Sequence, residues 1–193
     1  MWRMVCRPLF GSLLITETDR MKSTILSRVF AFGYSVCSGI GLGAIGSNLR
    51  LFFLRPLLCE QSGSCENVFI GKDVAIIHPE RLTLGNNISI HRHCYLDCSG
   101  NITIGDDVSI AHDCSIISFN HSYDDSTKPI RLQPMKYAPV KIGNNCWLGC
   151  KAVILPNVTI ADGSIVAAGA IVTKSVASGV ICGGNPARVI KNI

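Results

Sequence analysis

The sequence repeats with a period of six residues over most of its length. Each unit opens with an aliphatic residue and carries a small residue four places later. Clear units open at Ile104, Ile110, Ile142 and Ile160, and others open at Ile70, Leu84, Ile90, Leu148, Ile154, Val166 and Val172. A heptad would indicate a coiled coil and strict alternation a plain strand, whereas a period of six bounded by Gly, Asn and Asp requires a chain that turns after every short strand. The chain is therefore predicted to be a solenoid.

The position of each residue in the repeat predicts its environment. The opening Ile, Leu or Val should point inward, and Gly, Asn or Asp should supply the turn conformations that bulky residues avoid. Coils stacked about 4.8 Å apart then bury continuous aliphatic ladders, which a single coil could not do. Cys94, Cys114 and Cys146 all occupy the small fifth position, so we expect them to be buried thiols that act as small hydrophobes.

Positive charge is concentrated at the N-terminus. The 193 residues carry a formal charge of +5, and the whole excess lies in residues 1–58, which also contain the apolar, uncharged run 29–46. Five glycines in that run weaken the case for a membrane-spanning helix. Two interpretations stay open: an arm that lies on an anionic membrane surface, and a helical arm that packs over the first coil.

The repeat is interrupted between Ser118 and Pro139. This stretch contains three prolines and two adjacent aspartates, and the repeat then resumes in phase at Val140. An interruption with a clean resumption indicates a functional loop extruded from the solenoid. We therefore predict a basic, partly helical arm at residues 1–66, a solenoid at 67–177 that carries the loop 118–139, and a C-terminal tail at 178–193.

These repeats resemble those of the hexapeptide-repeat acyltransferases. The similarity extends through His121 at the start of the loop, through residues 139–143 and 147–149, and through the ending Gly-Asn-Pro-Ala-Arg at 184–188. Acetyltransferases that act on sugars, maltose, galactosides and antibiotics share these features. The resemblance covers about residues 67–191 and implies an all-β fold, a left-handed parallel β-helix. The handedness comes from the family alone, because general rules for parallel crossovers favour the right-handed form.

The resemblance also implies an O-acetyltransferase that uses acetyl-CoA as acyl donor. An alcohol attacks a thioester poorly because its proton is held with a pKa of about 16, so a neutral imidazole that removes this proton is the minimum equipment. His121 is the expected general base, with a backbone amide stabilising the oxyanion and with no metal or acetyl-enzyme. The other histidines are expected to be solvated or structural, namely His78, His91, His93 and His112.

By the same resemblance, Asn120, Asp97 and Trp147 are expected to bind the acceptor. Enzymes of this kind commonly carry Asn at the position of Asp97. As a carboxylate, Asp97 could accept hydrogen bonds from sugar hydroxyls or orient the imidazolium, and its alternative role is that of a solenoid corner. Trp147 either lines the cleft or packs against a neighbouring subunit.

The expected coenzyme site combines small residues with cations near the last coils. Residues 167–170 leave backbone groups open to approach, although their first and last positions depart from the usual Gly-Ala-Gly-Ser of the family. The resemblance implies main-chain contacts from Cys150 and Ala168, and side chains along the coenzyme or facing its phosphates from Thr173, Lys174, Arg188 and Lys191. It further implies a homotrimer with active sites between adjacent subunits.

The acceptor is expected to be a sugar hydroxyl of a bacterial surface polysaccharide or its lipid-linked precursor, because the arm is basic and apolar. The expected location is the cytoplasm, at the inner face of the plasma membrane, and no nucleic-acid partner is expected. Serine or xenobiotic O-acetyltransferases share the reaction class, and a non-catalytic β-helix scaffold is a further alternative. A zinc hydratase of this fold needs a His-x-x-x-x-His pair, which the sequence lacks, and no Cys-x-x-Cys pair indicates a zinc site.

Overall fold

The structure is a computed structural model that describes residues 17–39, 41, 43–59 and 61–193, with side chains from residue 25 onward. The first sixteen residues of the predicted arm lie outside this part. Two helices come first, α1 (Glu17–Ser38) and α2 (Gly43–Leu54). The strands follow: β1 (Phe69–Ile70), β2 (Ala75–Ile77), β3 (Leu82–Leu84), β4 (Ser89–Ile90), β5 (Tyr95–Asp97), β6 (Ile102–Ile104), β7 (Ser109–Ile110), β8 (Ser115–Ile117), β9 (Phe119–His121), β10 (Met135–Tyr137), β11 (Val140–Ile142), β12 (Trp147–Leu148), β13 (Val153–Ile154), β14 (Thr159–Ile160), β15 (Ile165–Val166), β16 (Ile171–Val172), β17 (Val180–Gly184) and β18 (Ala187–Asn192).

Three parallel sheets form the sides of a solenoid, as the repeat predicts. Sheet A contains β1, β4, β7, β12, β15 and β17 in that order, sheet B contains β2, β5, β8, β13 and β16, and sheet C contains β3, β6, β11 and β14. In sheet A, Phe69 pairs with Ser89 and Ser89 with Ser109, so each of the first coils takes 20 residues. Ser109 pairs with Trp147, a step of 38 residues that includes the loop, and Trp147 pairs with Ile165 after 18.

The inward side chains of each sheet form an aliphatic column. Neighbouring coils contribute Ile70, Ile90, Ile110, Leu148 and Val166 in sheet A, Leu96, Ile116, Ile154 and Val172 in sheet B, and Leu84, Ile104, Ile142 and Ile160 in sheet C, all buried. Burying a side chain of this size stabilises the fold by roughly 1.5–3 kcal/mol. The predicted inward positions are therefore confirmed, as is the burial of Cys94, Cys114 and Cys146. Burial raises the pKa of the Cys146 thiol, which keeps it neutral.

The corner between sheets A and B is closed by residues in the left-handed conformation. Asp73, His93, Asp113 and Lys151 take φ values of 54°, 59°, 61° and 60° on successive coils. The His93 ring lies between two carboxylates, with Nε2 3.6 Å from Asp73 Oδ2 and Nδ1 3.3 Å from Asp113 Oδ1. His93 therefore serves the corner of the solenoid, in agreement with the structural role expected for it.

Helix α2 covers the free edge of sheet A at strand β1. The Ile70 N–H donates to Ser47 Oγ at 2.8 Å, and Arg50 Nε donates to the Ile70 carbonyl at 2.8 Å. Arg50 is buried and also donates through Nη1 to the Cys37 carbonyl of α1 at 3.2 Å. Both backbone groups of Ile70 that face away from the next coil thus have partners, which an exposed edge strand lacks.

Helix α1 is attached to the same end of the solenoid. The Tyr34 hydroxyl donates to the Val74 carbonyl at 2.8 Å, and the Asp73 N–H donates to the Ser38 carbonyl at 2.8 Å. Burial raises the pKa of Tyr34. One side of the arm therefore packs over the first coil, which is one of the two interpretations that the sequence left open.

The opposite end of the solenoid finishes in an antiparallel pair. Strand β17 continues sheet A beside β15, and β18 folds back on β17, with Lys191 opposite Ile181 and Val189 opposite Cys182. Residues 180–184 of the predicted tail therefore lie in the solenoid sheet, and β18 places Arg188 and Lys191 at its edge.

Replacing Arg50 with Met should destabilise the fold by about 2–4 kcal/mol, because the buried carbonyls of Ile70 and Cys37 would lose their donor. The measurement is equilibrium unfolding in urea at fixed protein concentration. The control is Arg28→Met, which removes an exposed guanidinium from α1 and should change the free energy of unfolding by less than about 0.5 kcal/mol. Equal stability of the two variants would contradict the capping role of Arg50.

Candidate active site

A two-stranded hairpin carries His121 away from the solenoid. Strands β9 and β10 pair antiparallel, with Met135 opposite His121 and Lys136 opposite Asn120. The hairpin begins where β8 ends, at the edge of sheet B. Asn120 and His121 are both exposed, and the His121 N–H donates to Asn120 Oδ1 at 3.1 Å. The imidazole is therefore presented to solvent on a regular backbone support.

The root of this hairpin is fixed by Ser118, which is fully buried. Its hydroxyl donates to the Asp97 carbonyl at 2.6 Å and accepts from the Gly100 N–H at 2.8 Å. Its carbonyl accepts from the Ala138 N–H at 2.9 Å, which joins the two ends of the inserted loop. Ser118 thus attaches both ends of the loop to the preceding coil.

Gly100 is required where this root contacts the preceding coil. A Cβ at Gly100 would lie 2.0 Å from the Ser118 carbonyl oxygen and 2.7 Å from the Ala138 nitrogen. Sequence reasoning missed both Gly100 and Ser118. Neither residue opens a six-residue unit, so the repeat gives no signal for this contact.

The distal part of the loop is held by buried and paired side chains. Gln133 is buried, and its Nε2 donates to the carbonyls of Asp125 at 2.8 Å and Lys128 at 3.0 Å, while its Oε1 accepts from the Asp125 N–H at 3.1 Å. Lys136 pairs with the Asp124 carboxylate, and this hydrogen bond holds the pKa of Asp124 below its usual range. The hairpin that carries His121 is therefore supported along its length.

Asp97 lies beside the root of the hairpin, opposite Ile117 of the next coil. It is 5% exposed. Its Oδ1 accepts from the Ser99 N–H at 3.1 Å and the Ser99 hydroxyl at 2.5 Å, and its Oδ2 accepts from the Tyr95 hydroxyl at 3.1 Å. Burial and the hydrogen bond to Asp97 raise the pKa of Tyr95. The carboxylate thus fixes its own coil, and its contact with an acceptor stays a prediction.

Two of the predicted coenzyme residues lie together at the corner between sheets A and B. Cys150 and Ala168 are on consecutive coils, and the Gly169 N–H donates to the Cys150 carbonyl at 2.8 Å. The backbones are so close here that a Cβ on Gly149 would lie 2.5 Å from the Ala168 nitrogen. Cys150 and Ala168 therefore lie where two coils approach each other closely, and their contact with a coenzyme stays a prediction.

The predicted cations lie near the last coils. Thr173 and Lys174 directly follow β16. Lys174 and Arg188 line one pocket of about 260 Å³, together with Val172, Cys182 and Val189. Lys191 lies farther along β18, opposite Ile181. The structure therefore brings Lys174 and Arg188 to one cavity and leaves Lys191 outside its lining.

Sheet B relates these groups to His121. Asp97 and Ile117 are opposite each other at the end of this sheet. In the same sheet Ile116 pairs with Ile154, and Ile154 pairs with Val172. Ser118, at the hairpin root, comes after β8, and Lys174 comes after β16, so both lie at the C-terminal ends of strands in sheet B. They are two coils apart, which is about 10 Å. Cys150 and Ala168 lie on the other side of sheet B, before the N-terminal ends of strands β13 and β16.

Trp147 lies on a different side of the solenoid. Its side chain projects from the outer face of sheet A, is 52% exposed, and lines a pocket of about 390 Å³ with Ser109 and Ile165. His121 lines neither this pocket nor the pocket of Lys174 and Arg188. One chain therefore presents the predicted site residues on two faces.

The remaining histidines lie among other partners. His78 Nδ1 is 3.0 Å from Glu80 Oε1, and the His91 ring lies 5.9 Å from the Phe69 ring, measured between centroids. Within residues 17–39, 41, 43–59 and 61–193, no group of three or more His, Cys, Asp or Glu side chains is arranged to hold a metal ion.

Known proteins share both the repeat and the sequence around it. The family model described as bacterial transferase hexapeptide (six repeats) matches residues 139–174. The putative colanic acid biosynthesis acetyltransferase WcaF of Escherichia coli K12 is 35% identical over 142 residues, which cover 74% of this chain and 74% of that protein. The chain belongs to the hexapeptide-repeat acetyltransferases.

Two further comparisons extend this result. The galactoside O-acetyltransferase of Escherichia coli K12 is 35% identical over 130 residues, which span 64% of this chain and 63% of that protein, slightly less than two thirds of its length. A solved structure of a galactoside acetyltransferase in complex with coenzyme A superposes with a TM-score of 0.72 at 26% identity, covering 95% of this chain and 86% of that one. The predicted fold class, a left-handed parallel β-helix with a helical N-terminal arm, is thereby confirmed.

Replacing Gly100 with Ala should displace the hairpin root, because the added Cβ has only backbone atoms to meet. We expect a loss of about 1–3 kcal/mol in the free energy of unfolding and faster proteolytic cleavage within residues 118–139. The matched control is Gly63→Ala, where a Cβ meets nothing within 4 Å. If both variants resist a protease as the original chain does, the contact at Gly100 does not fix the loop.

Proposed function

We propose that this chain is an acetyl-CoA-dependent O-acetyltransferase that acts on a sugar hydroxyl, with His121 as general base. The observation that carries the proposal is the exposed imidazole on a braced hairpin, at the same edge of sheet B as Thr173 and Lys174. The names of the relatives support the reaction class, since both are acetyltransferases. The coenzyme A bound to the galactoside acetyltransferase supports the donor.

The proposed reaction is a direct transfer. Neutral His121 removes the proton of the acceptor hydroxyl as its oxygen attacks the thioester carbonyl of acetyl-CoA. The oxygen–carbon bond forms, a backbone N–H stabilises the tetrahedral oxyanion, and the carbon–sulfur bond then breaks. The departing thiolate takes the proton from the imidazolium. The products are the acetyl ester and coenzyme A, and His121 is neutral again.

The coenzyme is proposed to run along the edges of sheet B. Main-chain groups of Cys150 and Ala168 would contact the pantetheine arm. Thr173 would lie along the coenzyme, and Lys174, Arg188 and Lys191 would face its phosphates through charge-assisted hydrogen bonds. The pocket shared by Lys174 and Arg188 supports this arrangement, because two cations converge there at the end of the solenoid.

We propose that a homotrimer completes the site. His121 and Trp147 belong to different faces of one chain, so a cleft that uses both requires a second subunit to bring a sheet A face towards a sheet B edge. In such an arrangement Trp147 of one subunit would line the cleft that contains His121 of its neighbour. Asp97 and Asn120 would then border the acceptor on the side of the hairpin.

The proposed acceptor is a glycan hydroxyl of a bacterial surface polysaccharide or its lipid-linked precursor, modified in the cytoplasm at the inner face of the plasma membrane. The excess positive charge of residues 1–58 supports this location. The name of the relative WcaF refers to colanic acid biosynthesis, which supports the acceptor class. Serine or a xenobiotic as acceptor, or a scaffold without activity, are the alternatives that the assay must separate.

The test is transfer of labelled acetyl from acetyl-CoA to a panel of sugars, glycans, serine and lipid-linked oligosaccharides. We expect acceptor-dependent labelling that falls by about 10²- to 10⁴-fold in His121→Ala, because the attack loses its general base. Affinity for coenzyme A should be unchanged, since the imidazole lies outside the pocket of Lys174 and Arg188. His112→Ala, at a corner of the solenoid, is the control and should retain full turnover.

Three results would contradict the proposal. If His121→Ala retained its turnover, His121 would not be the general base. If serine alone were labelled, a sugar acceptor would be excluded. Failure of the folded protein to bind acetyl-CoA would favour the scaffold.

A further inference from the structure

Helix α1 carries a stripe of exposed apolar side chains. Ile25, Val29, Phe32 and Val36 follow one another at intervals of four, three and four residues, which places them on one side of a helix. They are between 56% and 71% exposed. Single exposed apolar residues are normal on protein surfaces, but a continuous stripe indicates an interaction site.

Helix α2 extends this surface. Ile45, Leu49 and Phe52 are exposed and also follow at intervals of four and three residues. The Phe52 ring lies 6.2 Å from the Phe30 ring of α1, measured between centroids, so the α2 stripe has its Phe52 end beside α1. We refer to the seven exposed residues of the two stripes as the arm face.

The solenoid of the same chain does not use the arm face. The arm contacts the solenoid through Tyr34, Ser47 and Arg50, whose hydrogen bonds end on strand β1 and on Val74. Leu51 and Leu54 enter the core on that side. The arm face therefore consists of side chains that the fold itself leaves in contact with solvent.

Charge distinguishes this segment from the rest of the chain. Residues 1–58 contain seven Arg or Lys and two acidic residues, whereas residues 59–193 contain eleven of each sign. Helix α1 itself contains Arg20, Lys22 and Arg28 together with Glu17 and Asp19, so its basic residues outnumber its acidic ones by three to two. A helix that combines an apolar stripe with basic residues is typical of segments that lie in the interface of an anionic membrane.

The positive charge also favours an anionic bilayer over a second copy of this chain as the partner of the arm face. A second copy of the arm would bring the same excess positive charge to the contact, and the two arms would repel each other. An anionic bilayer offers apolar depth for the stripe and negative headgroups for the basic residues. Neither described helix has the length and apolar character needed to cross a bilayer, so the fitting arrangement is one in which the arm lies on the surface.

We infer that the arm face docks the enzyme on the surface of an anionic phospholipid bilayer. This inference rests on the proposed function only for the purpose of the docking, which is to hold the active site near a lipid-linked acceptor. The binding itself depends on α1 and α2 alone. Docking and catalysis are thus carried by different parts of the chain and can fail separately.

The experiment is flotation of the full-length protein with vesicles of phosphatidylcholine alone or mixed with phosphatidylglycerol. We expect the protein to float with the anionic vesicles and to dissociate as salt is raised, because salt screens the electrostatic attraction. Val29→Ser combined with Phe32→Ser should reduce the bound fraction by about tenfold or more at limiting lipid. The matched control is Ile130→Ser combined with Leu132→Ser, which removes two similarly exposed apolar residues of the inserted loop and should bind as the original chain does.

Three outcomes would overturn the inference: no flotation with anionic vesicles, equal loss in the arm variant and the control, or flotation that is the same with neutral vesicles. A smaller assembly for the arm variant in sedimentation, without vesicle binding by the original chain, would instead assign the arm face to a second copy. Acetyl transfer to a water-soluble acceptor, measured on the same samples, reports on the proposed function independently. If the original chain does not float with anionic vesicles while its turnover is intact, docking alone is contradicted.

Discussion

Hydrogen bonds between successive coils hold each strand directly above the previous one, and this vertical repeat decides which residue each position can carry. An inward position must hold an aliphatic residue on every coil, as in the column from Ile70 to Val166. A corner position must tolerate the left-handed conformation, as Asp73, His93 and Asp113 do. The six-residue period of the sequence is the direct record of this constraint.

The same repeat creates two ends that need protection. A stack of parallel strands has no natural limit, and an open edge would pair with another chain. At the first coil, Ser47 and Arg50 occupy the free N–H and C=O of Ile70. At the last coil, strand β18 folds back on β17. The inner side of the helical arm therefore packs on the first coil, whereas its outer side, the arm face, is exposed to solvent.

Structural features that recur with the six-residue repeat could be predicted from the sequence, whereas contacts that occur only once could not. The inward aliphatic residues, the buried thiols at the fifth position and the place of the loop all follow from the repeat or its interruption. An arm over the first coil was one of two interpretations of the sequence, but the residues that make the cap could not be predicted, because Arg50 reaches a carbonyl twenty positions away and a single polar residue leaves no pattern. The attachment of the loop by Ser118 and Gly100, and the saturation of the Asp97 carboxylate by Tyr95 and Ser99, depend on similar unpatterned contacts.

The candidate site follows from how the solenoid distributes residues rather than from one compact cavity. Sheet B has Cys150 and Ala168 at one edge, and the hairpin of His121 and Lys174 at the other. Trp147 belongs to sheet A, on a different face. A solenoid keeps such residues at fixed separations, so a cleft between two subunits can combine them without a change of fold.

The most direct measurement is a crystal structure of the protein with coenzyme A. We predict the pantetheine arm along the corner of Cys150 and Ala168, the phosphates near Lys174 and Arg188, and the sulfur close to the imidazole of His121 from the same or a neighbouring subunit. Coenzyme bound with its sulfur too far from every His121 for even one water to bridge the gap would contradict the assignment of this surface as the active site.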